Sequence, residues 1–346
     1  MERKLEINKL IDLGYKCISI EAPSNIALIK YWGKKLGQIP MNPSVSYTLN
    51  SCKTTFSLYY KKTDVSYENE FYFDGVFAPE FAAKTFKLIE TISSDFSELG
   101  KYHLILNSTN SFPHSSGIAS SASSMCALSS CLLNLLGKSD DLNLISHYAR
   151  LGSGSAARSV FGGVVTWGAS SLVENSSDLF ATKLNEEIHS DMKNICDTIV
   201  IIHDGVKEVS STMGHSLMEN HPFRDVRILN ANNRFKELIE AMKLGDFSSW
   251  GKIIEAEALE LHAMMMTSNP SYILLKPKTL DVLETVRNIR KEHSVDLYFT
   301  LDAGPNVHLL YPEKQKSQVL KLIKENITGL KLINDKTGPG PRVLKC

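Results

Sequence analysis

Twelve residues from Pro113 to Ser124 read Pro-His-Ser-Ser-Gly-Ile-Ala-Ser-Ser-Ala-Ser-Ser. Small side chains let backbone N–H groups approach a ligand closely, and a helix starting there turns its positive dipole end to the same spot. Each serine adds a hydroxyl donor. The chemistry this suits is the holding of a phosphate. Ser/Gly composition also makes flexible linkers. Here, however, Met125, Leu128, Leu132 and Leu135 follow at spacings of three, four and three. That is the buried face of a helix, and it favours the cradle.

Three further segments carry chemical groups. Gly152-Ser-Gly-Ser-Ala-Ala-Arg158 sets the Ser153 and Ser155 hydroxyls beside a pliable backbone, with a guanidinium fork suited to carboxylate or phosphate. It is equally a Gly-rich turn with a solvated arginine. Asp302, in Leu-Asp-Ala-Gly-Pro-Asn, follows an apolar strand-like run. It is either a turn former or a carboxylate facing a ligand. Asn25-Ile-Ala-Leu-Ile-Lys-Tyr-Trp-Gly-Lys34 places Lys30 and Lys34 four apart around an aromatic pair, where they could clamp anions with Tyr31 as an oriented donor. Lys207 with Ser210, Ser211 and Thr212 is a smaller basic and hydroxyl cluster. His262 and Met264 to Met266 read as packing on a helix. Gly137-Lys138-Ser139 ends like a Walker loop, but Leu132 stands where its first glycine belongs. Gly152 to Ala157 spells a dinucleotide fingerprint but follows a helical pattern instead of a strand.

These groups need a large scaffold, and 346 residues suffice for two cores. Thirty-eight basic residues match 38 acidic ones, so no global field favours nucleic acid or an anionic membrane. The apolar runs fall short of a membrane span, and Met-Glu-Arg-Lys-Leu-Glu opens without a signal-peptide core. Six cysteines (Cys17, Cys52, Cys126, Cys131, Cys196, Cys346) form no Cys-x-x-Cys pair. The expectation is reduced thiols, a cytoplasmic protein and no zinc site.

Strand-like runs are predicted at Cys17 to Glu21, Ser44 to Leu49, Thr54 to Tyr60, Glu70 to Phe73 and Tyr102 to Asn107. Helices are predicted from Ala119 to Leu136 and from Leu142 to Leu151, then strands at Val164 to Trp167 and Thr198 to His203. Arg224 to Leu244 carries Phe235, Leu238, Ile239 and Met242 on one face, and Gly245-Asp246 supplies a stop and a new N-cap. The next helix reaches Met266, and a third carries Val282, Val286 and Ile289. Strands Leu297 to Leu301 and Val307 to Tyr311 flank the Asp302 turn, before a helix from Lys314 to Lys324. The reading is an α+β chain of two lobes, 1–190 and 191–346.

Together the segments resemble the GHMP kinase superfamily and, within it, the mevalonate diphosphate decarboxylases. In order along the chain, Asn25 to Lys34 is similar to that family's N-terminal signature and Phe112 to Ser123 to its ATP loop. Gly152 to Arg158 is similar to its substrate loop, Lys207 to Gly214 to its second-lobe loop, and Asp302 to Asn306 to its catalytic segment. The resemblance implies a ribosomal protein S5 domain 2-like N-terminal lobe, a C-terminal α/β sandwich lobe and, commonly, a homodimer. It implies ATP-dependent decarboxylation of mevalonate 5-diphosphate, a small phosphorylated substrate, to isopentenyl diphosphate. Asp302 would face the 3-hydroxyl, Arg158 would hold the substrate carboxylate, and Asn25 and Lys30 would place the reacting groups. Tyr31, Lys34, Ser153, Ser155 and Ser211 would grip the phosphorylated tail and the carboxylate end. Pro113, Ser116, Gly117, Ala119, Ser120, Ser121 and Ser123 would hold the ATP phosphates, with Mg²⁺ bridging them near Ser120 or Ser121 and no dedicated protein metal ligands. The chain departs from the family pattern at Ala157, often Cys, and at Thr212 and Gly75, where some members carry Arg. Mevalonate 5-phosphate as substrate, and a 3-kinase that stops before decarboxylation, stay open as alternatives. A non-catalytic binding protein on the same scaffold is a third.

Overall fold

The computed structural model describes residues 3–65, 67–112, 118–184, 188–203, 205 and 211–346, apart from the side chains of residues 211 and 212. In the first part lie α1 (Ile7–Asp12), β1 (Lys16–Ile29), β2 (Ser44–Lys62), β3 (Glu70–Phe73), β4 (Val76–Phe77), α2 (Ala83–Asp95) and β5 (Tyr102–Asn110). Then come α3 (Ser120–Leu135), α4 (Leu142–Gly152), α5 (Ala156–Ser159), β6 (Val164–Trp167) and β7 (Ala181–Lys183). The second part holds β8 (Ile195–Ile201), α6 (Ser211–Leu217), α7 (Arg224–Leu244), α8 (Phe247–Met266), α9 (Pro277–His293), β9 (Tyr298–Leu301), β10 (Val307–Pro312), α10 (Lys316–Asn326), β11 (Lys331–Lys336) and β12 (Arg342–Leu344).

The architecture is α+β with two sheets, as the residue patterns predict. The first sheet runs β12-β1-β2-β5-β3-β4, with β6 and β7 continuing from the early part of β2. The two short strands expected between Ser44 and Tyr60 are one strand of 19 residues. Strand β1 also runs past Pro23 to Ile29, because the ladder shifts register between Pro23 and Asn25 and so absorbs the missing proline N–H. Met125, Leu128 and Leu132 of α3 are buried against this sheet, with Leu135 partly so.

The second sheet runs β11-β8-β10-β9, entirely antiparallel. Helix α7 starts and stops where Arg224 and Gly245 predict. Gly245 is left-handed at the C-cap (φ 72°), and the Asp246 carboxylate accepts from the Ser249 N–H to open α8. The two sheets are pinned together by Asp335 of β11, whose carboxylate accepts from the Asn50, Ser51 and Cys52 N–H groups at 2.8–2.9 Å. Strand β12 leaves the second part of the chain and pairs with β1. One expectation is corrected here. Cys17 and Cys346 form a disulfide (S–S 2.00 Å), whereas the sequence predicts only reduced thiols. The partners lie 329 residues apart, a pairing no local spacing shows. The other four cysteines are free and buried. No helix among the described residues is long and apolar enough to cross a membrane.

Candidate active site

A cavity of about 710 Å³ joins Asp302 from the second sheet to Asn25, Lys30, the start of α3 and the Ser153 to Arg158 loop. Asp302 is fixed before any ligand arrives. Its backbone carbonyl accepts from His262 Nε2 (3.2 Å) and from the Gly304 N–H (2.7 Å). Thr279 Oγ1 donates to Pro305 O in the same turn, and Asn306 Oδ1 takes the Ile202 and His203 N–H groups at the end of β8. On the side chain, Lys30 Nζ donates to Oδ1 at 3.0 Å. His262 thus does more than pack. Burial pushes its pKa down to about 4, so the ring is neutral near pH 7 and serves as a donor to the turn.

Lys30 is set in turn by α7 and α8. Its side chain is buried, and burial outweighs the attraction of Asp302 to leave the ammonium below its ordinary range. Nζ also donates to Ala27 O at 2.6 Å. The Lys30 backbone N–H donates to Glu257 Oε2 at 3.0 Å, and Asn42 Nδ2 donates to the Lys30 carbonyl. Glu257 is buried and held bidentately by Arg227 at 2.8 Å, with Arg234 as a third partner. Burial pushes its pKa up, but these cations and the Lys30 N–H outweigh that and hold it below the carboxylate range. Removing one partner of such a cluster leaves charges uncompensated, a loss of about 3–5 kcal/mol. Glu257→Gln is therefore expected to lower Tm by on the order of 10 °C. It should also cut kcat in the protein that remains folded, because one amide oxygen must now serve the Lys30 N–H, Arg227 and Arg234, where two carboxylate oxygens did so before. Differential scanning fluorimetry beside the rate of the folded fraction checks both.

Arg158 is buried, and its side-chain hydrogen bonds among the described residues go to neutral oxygens. They are Ser44 Oγ (2.6 Å), Ser46 Oγ (3.0 Å) and Asn25 Oδ1 (3.3 Å). Asn25 is itself braced by the Ser155 carbonyl and Ser159 Oγ. Burial lowers the guanidinium to about 10 against the opposing pull of Asp302, so it keeps its charge at neutral pH. A buried cation whose side-chain hydrogen bonds among the described residues all go to neutral oxygens is a seat for an anion.

Tyr31 and Lys34 converge on Gln38. Lys34 Nζ donates to Gln38 Oε1 at 2.8 Å and Tyr31 OH reaches the same oxygen at 3.4 Å. Burial pushes the Tyr31 phenol up, which keeps it a donor. The Tyr31 ring lies between Trp167 (4.7 Å) and His215 (4.4 Å). A Cβ on Gly154 would meet that ring at 2.6–2.8 Å. Gly154→Ala is thus expected to raise the KM of the substrate roughly tenfold, the size of a modest overpacking penalty. The kcat should change far less, as steady-state kinetics would show.

At the start of α3, Ala119 takes a left-handed conformation (φ 31°, ψ 43°) and no side chain caps the helix. Ala119, Ser120 and Ser121 line the cavity, so the open first turn of a 16-residue helix faces it. Ser123 is a correction. Its hydroxyl is fully buried and meets Thr54 Oγ1 at 2.6 Å, because two residues beyond Ser121 the helix has turned by about 200°, from the cavity toward β2. Pro113, Ser116, Gly117, Lys207 and the Ser211 side chain lie outside the described residues. Lys84 and Lys87 of α2, His215 and Gln38 line the same cavity. Sequence reasoning missed all four. For the two lysines the one available signal was the helical spacing of Leu88, Ile89 and Ile92 in α2.

The two-sheet α+β fold, with an open helix start beside the Lys30–Asp302 ion pair, is that of the GHMP-fold enzymes. Residues 22–179 match the model of the diphosphomevalonate decarboxylase-like N-terminal domain, and 197–342 that of the mevalonate 5-diphosphate decarboxylase C-terminal domain. The diphosphomevalonate decarboxylase of Candida albicans is 27% identical over 94% of this chain and 97% of its own length. Mevalonate diphosphate decarboxylase from Staphylococcus aureus superposes with a TM-score of 0.85 at 29% identity, over 96% of this chain and 98% of that one. The structure of MDDEF in complex with MVAPP, AMPPCP and magnesium gives a TM-score of 0.83 at 30% identity, covering 96% of this chain and all of that one. The chain belongs to the mevalonate 5-diphosphate decarboxylase family.

Proposed function

We propose that the protein uses ATP to phosphorylate the tertiary 3-hydroxyl of mevalonate 5-diphosphate and then decarboxylates the product, giving isopentenyl diphosphate, ADP, phosphate and CO2. The observation that carries this is one cavity containing Asp302, Arg158 and the open start of α3. Asp302 accepts the hydrogen bond of the 3-hydroxyl and aims its oxygen at the γ-phosphorus. In a loose phosphoryl-transfer transition state this orientation counts for more than basicity. The oxygen–phosphorus bond to ADP breaks as the new one forms, and the hydroxyl proton passes late in the step to the Asp302 carboxylate and from there to solvent. The carbon–oxygen bond then breaks with its electron pair on phosphate. The electrons of the carboxylate's carbon–carbon bond form the alkene, and CO2 leaves.

Arg158 holds the substrate carboxylate, with Asn25 orienting its fork. Lys30 holds Asp302, while Tyr31, Lys34, Ser153, Ser155 and Ser211 take the tail. Pro113, Ser116, Gly117, Ala119, Ser120 and Ser121 take the ATP phosphates. The Ser120 or Ser121 hydroxyl would meet Mg²⁺ carried in on the nucleotide, and the ion would neutralise phosphate charge there. The MDDEF complex with AMPPCP and magnesium supports this reading. We also propose lobes of 1–190 and 191–346, a homodimer, and a cytoplasmic enzyme with neither nucleic acid nor membrane as partner. The balanced charge supports the last of these.

The test is release of labelled CO2 from C1-labelled mevalonate, its 5-phosphate and its 5-diphosphate with ATP and Mg²⁺. The diphosphate is expected to react fastest. No gas from any of the three with folded protein would overturn the proposal, as would a stable 3-phosphorylated product without gas.

A further inference from the structure

The chain ends in a strap laid across the first sheet. Past β11, the Gly338 N–H donates to Thr48 O (2.8 Å), and the Gly163 N–H donates to Gly338 O (3.0 Å). The strap then presses backbone to backbone on the loop after α5, where a Cβ on Gly162 would stand 2.6 Å from Gly340 N. Beyond Pro341 the ties are short and exposed. Strand β12 pairs with β1 over three residues, from Glu21 with Arg342 to Ser19 with Leu344. Arg342 meets Glu21 at 2.7 Å, but its side chain is 63% exposed, so this ion pair is weak. Val343 is exposed, and a cavity of about 330 Å³ separates Gly340 to Val343 from Ile145, Val160 and Phe161. The Cys17–Cys346 disulfide closes the end. Carrying the β1–β12 register two residues further sets Cys346 opposite Cys17, and their Cα atoms are 6.1 Å apart.

We propose that Cys17–Cys346 is a thiol–disulfide exchange site for dithiol reductants, and that breaking it loosens the strap and, through the loop after α5, the seat of Arg158. The bond is within reach. Cys346 is exposed and Cys17 half-buried, whereas Cys52, Cys126, Cys131 and Cys196 are free and buried. A reductant thiolate attacks Cys346 Sγ, the S–S bond breaks with its electron pair on Cys17 Sγ, and that sulfur takes a proton. The reductant's second thiolate then displaces Cys346 from the mixed disulfide, and Cys346 is protonated in turn. Two electrons and two protons thus pass from the dithiol, which ends as a disulfide, to the two cysteines. A short edge strand with exposed side chains opens locally at small cost once its covalent tie is cut. The effect reaches the site through Thr48, whose carbonyl takes the strap and whose Oγ1 donates to Phe161 O at 2.7 Å. Ser46, two residues earlier on β2, holds Arg158 Nε, and α5 itself carries Arg158 into that loop. The effect on substrate binding rests on the function proposed above; the exchange site does not.

The experiment compares the full-length protein oxidised, reduced with dithiothreitol, and as the Cys17→Ser and Cys346→Ser variants. Iodoacetamide labelling of the native protein, read by mass spectrometry, should mark Cys17 and Cys346 only after reduction. Reduction should lower Tm by about 5 °C. It should also speed amide exchange roughly tenfold over residues 342–344 and at Gly163, whose N–H the strap accepts. KM for mevalonate 5-diphosphate should rise about fivefold, the low end for coupled sites, with the KM of ATP unmoved. Oxidised glutathione should restore each value, and both serine variants should match the reduced protein and ignore dithiothreitol. Cysteines 17 and 346 that stay open to label under oxidised glutathione would overturn the inference. So would reduction that leaves either the exchange rates or the KM unchanged, or a dithiothreitol effect that persists in the serine variants. Protein that releases no CO2 in either state would instead overturn the proposed function. In that event, reduction-dependent labelling with faster exchange at Gly163 would still support the latch, and unchanged exchange there would refute it.

Discussion

Asp302→Asn is expected to lower kcat by roughly 10³-fold, the upper-middle range for loss of a positioned acid–base group. The KM for mevalonate 5-diphosphate should stay within a few-fold. Asparagine keeps the shape of the turn, because the backbone contacts from His262, Gly304 and the Asn306 brace do not involve the carboxylate. What is lost is the charge. The 3-hydroxyl loses its strongest acceptor, and Lys30, 3% exposed at its side chain, loses its ion-pair partner. Some stability goes with it, so the comparison is made on protein whose folding is verified by circular dichroism. If Asp302 only formed a turn, kcat would fall less than tenfold.

Arg158→Lys is expected to cost roughly 10²-fold in kcat/KM for the mevalonate substrate while the KM of ATP stays within about threefold. Lysine retains a positive charge but not the fork. Three oxygens of Ser44, Ser46 and Asn25 fix the guanidinium through Nη1, Nε and Nη2. One ammonium cannot reach all three and still present a planar pair of donors to a carboxylate. Buried serine hydroxyls and the Asn25 amide would be left partly unmatched, so a fall in Tm is also expected. An unchanged kcat/KM would show that charge alone suffices at this position.

The elements easiest to read in the sequence are those with local punctuation. Helix α7 is framed by Gly245 and Asp246, and Glu70 to Phe73 and Val164 to Trp167 are compact apolar runs. The site segments were legible because Lys-Tyr-Trp-Gly-Lys and Asp-Ala-Gly-Pro-Asn keep their chemistry within a few residues. The unread parts depend on distance along the chain. Strand β12 finds β1 from the far terminus. Glu257 reaches Lys30 from 227 residues away, and on its own helix it looks like one acidic residue among apolar ones. Helix α2 holds Thr85, Leu88, Ile89 and Ile92 inward, yet its polar face hid two cavity lysines among ordinary surface charge. Ser123 misled because composition does not reveal rotation about a helix.

The most direct measurement follows the oxygen of the 3-hydroxyl. Mevalonate 5-diphosphate carrying ¹⁸O at that position is turned over with ATP and Mg²⁺, and the released inorganic phosphate is analysed by mass spectrometry. If Asp302 steers that oxygen onto the γ-phosphorus, the label appears in phosphate in a 1:1 ratio to CO2, as the stoichiometry of the proposed steps requires. Label found in water, with unlabelled phosphate, would mean the hydroxyl departs without ever being phosphorylated, and the account would be wrong at its centre.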